Sequence, residues 1–353
     1  MLRAVPQCML LLLAAVALSA VPAPAAAQSG SVVPAEASPD ARKLFAEAAE
    51  MQRDGQNSSA IVNYLEANKL DGGRCFECIH RAYMLAIQTE DFKTARAAVD
   101  EGLAATPSDA DRGLMHYWLG VAWQREGTRE QNGKDLEESC TEFKTALSID
   151  PSLTPAYFSY GISLARLHRD REARKQFNAF LTRDKDLPSL HPRAERFVED
   201  VSLARARMAP DFSITTLEGQ RFSLDSLAGK VVLIDFWATW CAPCVAELPD
   251  LRNIVQEFQG QPFVLLSVSM DEDTAKWKKF VVAQHMTWPQ FHDGDSGVSL
   301  ANLFGVHKIP FTFSINAEGV VEDQHLGGNA QLDAKLKQLV AQAVERQQRG
   351  SRR

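Results

Sequence analysis

Two pairs of cysteines with two residues between them, Cys241-Ala242-Pro243-Cys244 and Cys75-Phe76-Glu77-Cys78, are the residues here whose types and spacing could do chemistry. Such a pair either cycles between dithiol and disulfide or supplies half of a zinc site, and spacing alone leaves both open. The first pair follows the apolar run Val231 to Trp237 and opens a helical pattern. Backbone N–H groups at a helix start favour a thiolate, which is the species that attacks a disulfide. Cys241, in the turn at the helix start, is therefore assigned as the nucleophile. Cys244, one turn in, resolves the mixed disulfide from behind. Pro243 at an early helical position costs no hydrogen bond and keeps the two sulfurs in disulfide range. A purely structural disulfide is the weaker reading, because so small a loop at a helix start stabilises little. On the preceding run, Asp235 is enclosed by Val, Ile and Phe. Desolvation raises a carboxyl pKa, so Asp235 is expected to relay the proton to and from Cys244.

The second pair reads differently. Attachment of a c-type haem requires His directly after the second cysteine, and here Ile79 stands before His80, so no haem is expected. Zinc would need two further ligands, with only His80 and the distant Cys140 as candidates. A structural disulfide pinning a helix start is the preferred reading of Cys75 and Cys78. Two reduced core cysteines, or an electron relay to the C-terminal pair, are the alternatives. Cys140 is expected to be a buried thiol. Histidines 116, 168, 191, 285, 292, 307 and 325 are scattered without ligand spacing, so no metal is expected. No phosphate-binding glycine loop or Ser/His/Asp arrangement stands out. A net charge of −7 with both signs interspersed argues against nucleic acid as a partner.

These residues need elements to position them, and 353 residues are too many for one ordinary core. Residues 1–27 read as an export leader: Arg3, the apolar run Met9 to Val21, then Ala25-Ala26-Ala27 for cleavage. That run is shorter than the ~20 residues that span a bilayer, so membrane contact is expected only if the segment is retained. After cleavage the product would be periplasmic, where disulfides persist. Residues 28–38 have a linker's composition. From 39 to 186 the chain is Ala-, Leu- and charge-rich, with helical spacing broken at Asp54-Gly55, Asp71-Gly72-Gly73, Thr106-Pro107 and Asp150-Pro151. Residues 127–134 read as an extra loop within this region, and 187–207 as a charged capping helix. Beyond 208, strands are expected at 212–216, 221–224, 231–237, 263–270, 311–315 and 320–324, and helices at 242–259, 273–284, 296–304 and 330–347. This order describes an α/β sandwich around one mixed sheet over 208–347, with 348–353 as a polar tail.

Two resemblances sharpen the reading. Phe236-Trp237-Ala238-Thr239-Trp240 before Cys241, Pro243 and Cys244, followed by Glu247-Leu248-Pro249, resembles the active site of the thioredoxin superfamily, within it the secreted TlpA/ResA branch of thiol–disulfide oxidoreductases. The resemblance covers roughly 208–345. It implies a thioredoxin fold, the same roles for Cys241 and Cys244, and a place for Glu247 in the active-site proton network. Thioredoxin has an aspartate at the position of Asp235, where many TlpA-like sequences carry asparagine. A cis bond between Ile309 and Pro310 is implied too, facing the cysteines and aiming the Ile309 backbone at an extended substrate segment. Trp240, Pro243 and Gly327-Gly328 would complete that surface, while Trp237 reads as core. The helices of 39–186 are similar to tetratricopeptide (TPR) repeats, clearest where Tyr157, Tyr160-Gly161 and Leu164 precede Ala173 and Phe177, and next at Leu119-Gly120-Trp123 with Phe143 and Ala146.

The expected fold class is thus an all-α TPR-like domain followed by an α/β thioredoxin fold. The expected function is an exported thiol–disulfide oxidoreductase that reduces disulfides of exported proteins, with no cofactor beyond its own Cys241–Cys244 disulfide. Its partners would be protein thiols and disulfides at the redox site and a protein or peptide in the repeat groove. Two alternatives stand beside it. One is a repeat scaffold with an accessory redox domain. The other is a peroxiredoxin-like thiol peroxidase, whose sites place threonine and proline where this chain has Ala238 and Ile234.

Overall fold

In a computed structural model of the chain, the described residues are 37–105, 108–184, 187, 190–294, 299–327 and 332–350. The leader, most of the linker, Gly328 and residues 351–353 lie outside them. The chain divides into two compact units between Arg205 and Ala206.

The first unit is helical: α1 (Pro39–Arg53), α2 (Asn57–Leu70), α3 (Phe76–Gln88), α4 (Phe92–Ala104), α5 (Asp109–Glu130), α6 (Gly133–Ile149), α7 (Thr154–Arg166), α8 (Asp170–Arg183) and α9 (His191–Glu199). Short polar side chains start several of them by accepting a free backbone N–H, as Ser38 does from Ala41, Asp91 from Thr94 and Ser108 from Asp111. Each helix packs on the next in sequence. A core running from Phe45 to Ala156 joins the first seven helices, so no single pair covers its own apolar face. Glycines set the closest approaches. A Cβ on Gly120 would lie 2.6 Å from the Phe143 ring, and one on Gly161 2.5 Å from the Phe177 ring. Ala173 is fully buried nearby in sequence.

Two expectations for this unit are corrected. Residues 127–134 are not an extra loop: α5 continues to Glu130, and only Gln131 and Asn132 separate it from α6. Gly127 lets the two helices meet there, because a Cβ would fall 3.0 Å from the Leu136 nitrogen. The turn itself is made by Gln131 in a left-handed conformation. The capping helix expected over 187–207 is instead α9 followed by a 3-10 turn, Val201–Arg205. Asp200 breaks the two apart in an extended conformation, its carboxylate accepting from the Ser202 N–H and hydroxyl.

The second unit comprises β1 (Ser213–Thr215), β2 (Arg221–Ser223), β3 (Val231–Trp237), α10 (Ala242–Glu257), β4 (Phe263–Ser269), α11 (Thr274–Ala283), β5 (Gln290–His292), α12 (Leu300–Phe304), β6 (Phe311–Ile315), β7 (Val321–Leu326) and α13 (Leu332–Gly350). β1 and β2 form a small antiparallel ribbon, and the other strands form one sheet in the order β5-β4-β3-β6-β7. β3, β4 and β5 run parallel, whereas β6 is antiparallel to both β3 and β7. This is the expected mixed-sheet sandwich. β3 is central, and all seven of its residues are buried. Val231, Leu233 and Trp237 join the cluster with α10, α11 and α13, while Val232, Ile234 and Phe236 join the one with α12. Period-two alternation therefore puts Asp235 on the α10 face.

The sequence reading omitted β5, whose three residues are too few to show a period. It also ended the last helix too early: 348–350 are not tail, because α13 runs to Gly350 with no breaker before it and a Glu345–Arg349 pair along its face. The helix placed at 296–304 is described only from Leu300, where Ser299 caps it. Among the described residues, no helix is long and apolar enough to cross a membrane.

Candidate active site

The first cysteine pair lies where β3 hands over to α10. Cys241 is the N-cap of α10, and its Sγ accepts the N–H of Cys244 at 3.3 Å. The two sulfurs are bonded to each other, with the Cα atoms 5.3 Å apart. Both are buried, Cys241 at 6% exposure and Cys244 at 2%, the first residue being the less enclosed. Pro243 stands exposed in the first turn, which has no use for its missing N–H. Trp240 is 63% exposed beside the pair, whereas Trp237 is 1% exposed and belongs to the core.

Behind the pair, Asp235 is paired in register with Ser267 on β4 and Thr312 on β6. It is buried, and Ser267 Oγ donates to its Oδ2 at 3.1 Å. Ser267 in turn accepts from the Trp288 indole N–H at 2.8 Å, which orients the hydroxyl. Burial pushes the Asp235 carboxyl up to about 7; the Ser267 bond opposes this and the Glu247 charge adds to it. Glu247, half-buried on α10, is itself raised, first by burial and then by Asp250. A cleft of about 410 Å³ is lined by Glu247, Asp250, Glu257, Thr312, Gly327 and Asp333. Asp235 and Glu247 are thus electrostatically coupled carboxyls on adjoining elements, both held toward their protonated forms.

In front of the pair, the Ile309–Pro310 bond is cis. Ile309 packs against the same cluster as Cys241 and Cys244. A groove of about 490 Å³ is lined by Trp240, Met270, His307, Lys308, Ile309, Pro310, Leu326 and Gly327. Gly327 closes its end by donating its N–H to the Pro310 carbonyl at 2.8 Å. Cys241, Cys244, Asp235, Glu247, Trp240, Pro243, Ile309 and Pro310 all belong to this one unit.

Cys75, Cys78 and Cys140 belong to the helical unit. Cys75 and Cys78 are disulfide-bonded, and both are 1% exposed. His80 is stacked on Trp118 at 5.0 Å and lies 3.6 Å from Glu77. Cys140 is a buried free thiol, which burial pushes up to about 12.

Sequence reasoning missed the polar residues on and after β4: Ser267, Ser269 and Asp271. Ser269 Oγ donates to Asp271 at 2.8 Å, and Asp271 holds Thr239 on the active-site loop. Their signal was present as two serines breaking the apolar run of β4. Only strand register shows that they face the cysteine loop.

Comparison with known proteins covers this unit. The AhpC/TSA family is matched over residues 206–324. The thiol–disulfide oxidoreductase ResA of Bacillus thuringiensis is 30% identical over 40% of this chain and 83% of its own length. ResA of Geobacillus thermodenitrificans is 33% identical over 40% of this chain and 80% of its own. A crystal structure of a thiol:disulfide interchange protein of the thioredoxin family from Chlorobium tepidum aligns with 38% of this chain and 97% of its own, at 27% identity and TM-score 0.35. With that identity sustained over most of the relatives' length, the chain belongs to the ResA-like thiol–disulfide oxidoreductases of the thioredoxin superfamily, and the protein is a thiol–disulfide oxidoreductase.

Proposed function

We propose that the protein is exported and reduces disulfides of exported proteins by dithiol exchange, while its helices form TPR repeats that dock a protein or peptide partner. The observation that carries the redox half is the Cys241–Cys244 disulfide at the start of α10, with Asp235 buried on the neighbouring strand β3. In the reduced enzyme the Cys241 thiolate attacks a substrate disulfide. A Cys241–substrate S–S bond forms, the substrate bond breaks, and the departing thiolate takes up a proton. Asp235 then accepts the Cys244 proton, and Glu247 passes it toward solvent. The Cys244 thiolate attacks Cys241 sulfur, forming the Cys241–Cys244 disulfide and releasing the second substrate thiolate. Two electrons pass from the pair to the substrate, and a dithiol protein returns them to restore the enzyme. Trp240, Pro243, Ile309 and Pro310 bind the substrate segment as an extended strand.

For the helical unit, the nesting of Gly120 under Phe143 and of Gly161 under Phe177 supports the repeat reading. Export rests on the apolar leader at Met9 to Val21. The AhpC/TSA match favours a second reading, peroxide reduction, against which stand the apolar Ala238 and Ile234, both fully buried. A Cys244→Ser trap tests the proposal. Exported proteins should accumulate in reductant-sensitive adducts through Cys241, and these should vanish when Cys241→Ser is added. A clean exported fraction alongside rapid peroxide consumption would overturn it in favour of the peroxidase.

A further inference from the structure

The segment from Ala238 to Cys241 carries the attacking sulfur yet belongs to no strand or helix. Its internal bonds are few: Cys241 N–H donates to the Ala238 carbonyl at 3.1 Å. The attachment to the rest of the unit comes from the segment that follows β4. Met270 N–H donates to the Trp237 carbonyl at 2.8 Å. Asp271, only 6% exposed, then grips Thr239 twice. The Thr239 N–H is shared between the two carboxylate oxygens at 3.2 and 3.0 Å, and the Thr239 hydroxyl donates to Oδ1 at 2.6 Å.

The carboxylate is itself held still. Ser269 Oγ donates to its Oδ2 at 2.8 Å and accepts the Asp271 N–H at 3.1 Å. The Asp271 carbonyl meets His292 Nε2 on β5 at 2.7 Å. A buried carboxylate accepting from one hydroxyl at the end of β4 and two donors of a neighbouring loop is a rigid anchor, since each bond to an ionised acceptor is strong and directional.

We infer that Asp271 is a positioning residue for the redox centre: through Thr239 it fixes the loop that presents Trp240 and Cys241 to a substrate disulfide. The inference rests on Cys241 being the attacking sulfur. The Asp271 carboxylate bonds to Thr239 and Ser269 and not to either sulfur. Its contribution is geometric, holding the nucleophile at the start of α10. Misplacing a nucleophile by an ångström can cost about 100-fold in rate.

The test compares Thr239→Val, Thr239→Ser and Asp271→Asn in the full chain. It reads insulin-disulfide reduction and the pH profile of Cys241 alkylation in the reduced protein. Thr239→Val and Asp271→Asn should each lower kcat/KM by about 10-fold or more and shift the alkylation profile. Thr239→Ser, which keeps the hydroxyl, should restore both. The double variant should be no slower than the slower single one, because the two residues share one tether. Should Asp271→Asn fail to fold, Thr239→Val carries the test, as it leaves Asp271 its Ser269 partner. Wild-type kinetics and profile in Thr239→Val, or a Thr239→Ser as slow as Thr239→Val, would overturn the inference. Cys241→Ser is measured alongside: persistent activity there would instead refute Cys241 as nucleophile.

Discussion

The two Cys-x-x-Cys segments are near copies at the level of local geometry. Each begins a helix with its first cysteine as N-cap, whose sulfur accepts the N–H of the second cysteine, at 3.2 Å for Cys75 and 3.3 Å for Cys241. What surrounds them differs in kind. Cys75 is locked to Asn68, which accepts the Cys75 N–H at 3.1 Å and donates to Glu101 at 2.9 Å, and both sulfurs sit in the helical core. Around Cys241 are an exposed tryptophan, a groove ending in a cis-proline and two carboxyls raised by burial. Under the proposed function, a helix-capping dithiol is an ingredient of redox chemistry, and access and a nearby raised carboxyl set the Cys241 pair apart.

The largest effect that separates the two pairs is on turnover. Cys241→Ser should lower insulin-disulfide reduction by about 10³-fold or more, since it removes the attacking sulfur. Joint Cys75→Ser and Cys78→Ser should leave it within about twofold, as expected where the two pairs act independently. Equal losses would erase the distinction.

Asp235→Asn sharpens it next. Burial pushes the folded carboxyl up to about 7, well above the ordinary aspartate range, so between that range and about 7 the fold binds more protons than the unfolded chain. Stability contributed by the protonated carboxyl is complete below the unfolded pKa and is lost as pH rises toward 7. Asn removes that loss. The sheet unit should gain about 2–4 kcal/mol at pH 8 and little at pH 4, read as separate urea unfolding transitions. The same variant should slow resolution of the mixed disulfide and flatten its rise between about pH 6 and 8. An unchanged pH profile would remove Asp235 from the proton path.

A smaller effect tests the other pair. Loss of the Cys75–Cys78 bond frees a very short loop, so the helical unit should lose about 2 kcal/mol with the sheet unit unaffected. The smallest effect concerns Cys140. With its thiol pushed up to about 12, native protein at pH 8 should resist alkylation there while both reduced pairs are modified faster in denaturant. Rapid labelling of native Cys140 would show that the helical core opens readily.

Much of this was legible in the sequence because it depends on local pattern. The apolar run from Val231 to Trp237, the helix start at Cys241 and the turn at Gly319 are written in adjacent residues. Asp235 was found by its apolar neighbours, whose burial does raise the carboxyl. Ser267 and Asp271 were not found, because they reach the site only through the parallel pairing of β3 with β4, in which Asp235 meets Ser267. Register across a βα crossover is a long-range property. The error at 127–134 has a different source: a glycine read as a break is in fact a close contact between helices.

The burial of every residue on β3 has a consequence before the fold exists. A seven-residue stretch rich in Val, Ile, Leu, Phe and Trp, with no proline, is the kind of segment that self-associates when exposed. Asp235 is its single charge. In the nascent chain nothing desolvates that carboxyl, so it is ionised at neutral pH and interrupts an otherwise sticky ribbon. The side chain proposed for proton transfer in the finished enzyme is thereby also the one charge that interrupts this apolar strand before it folds.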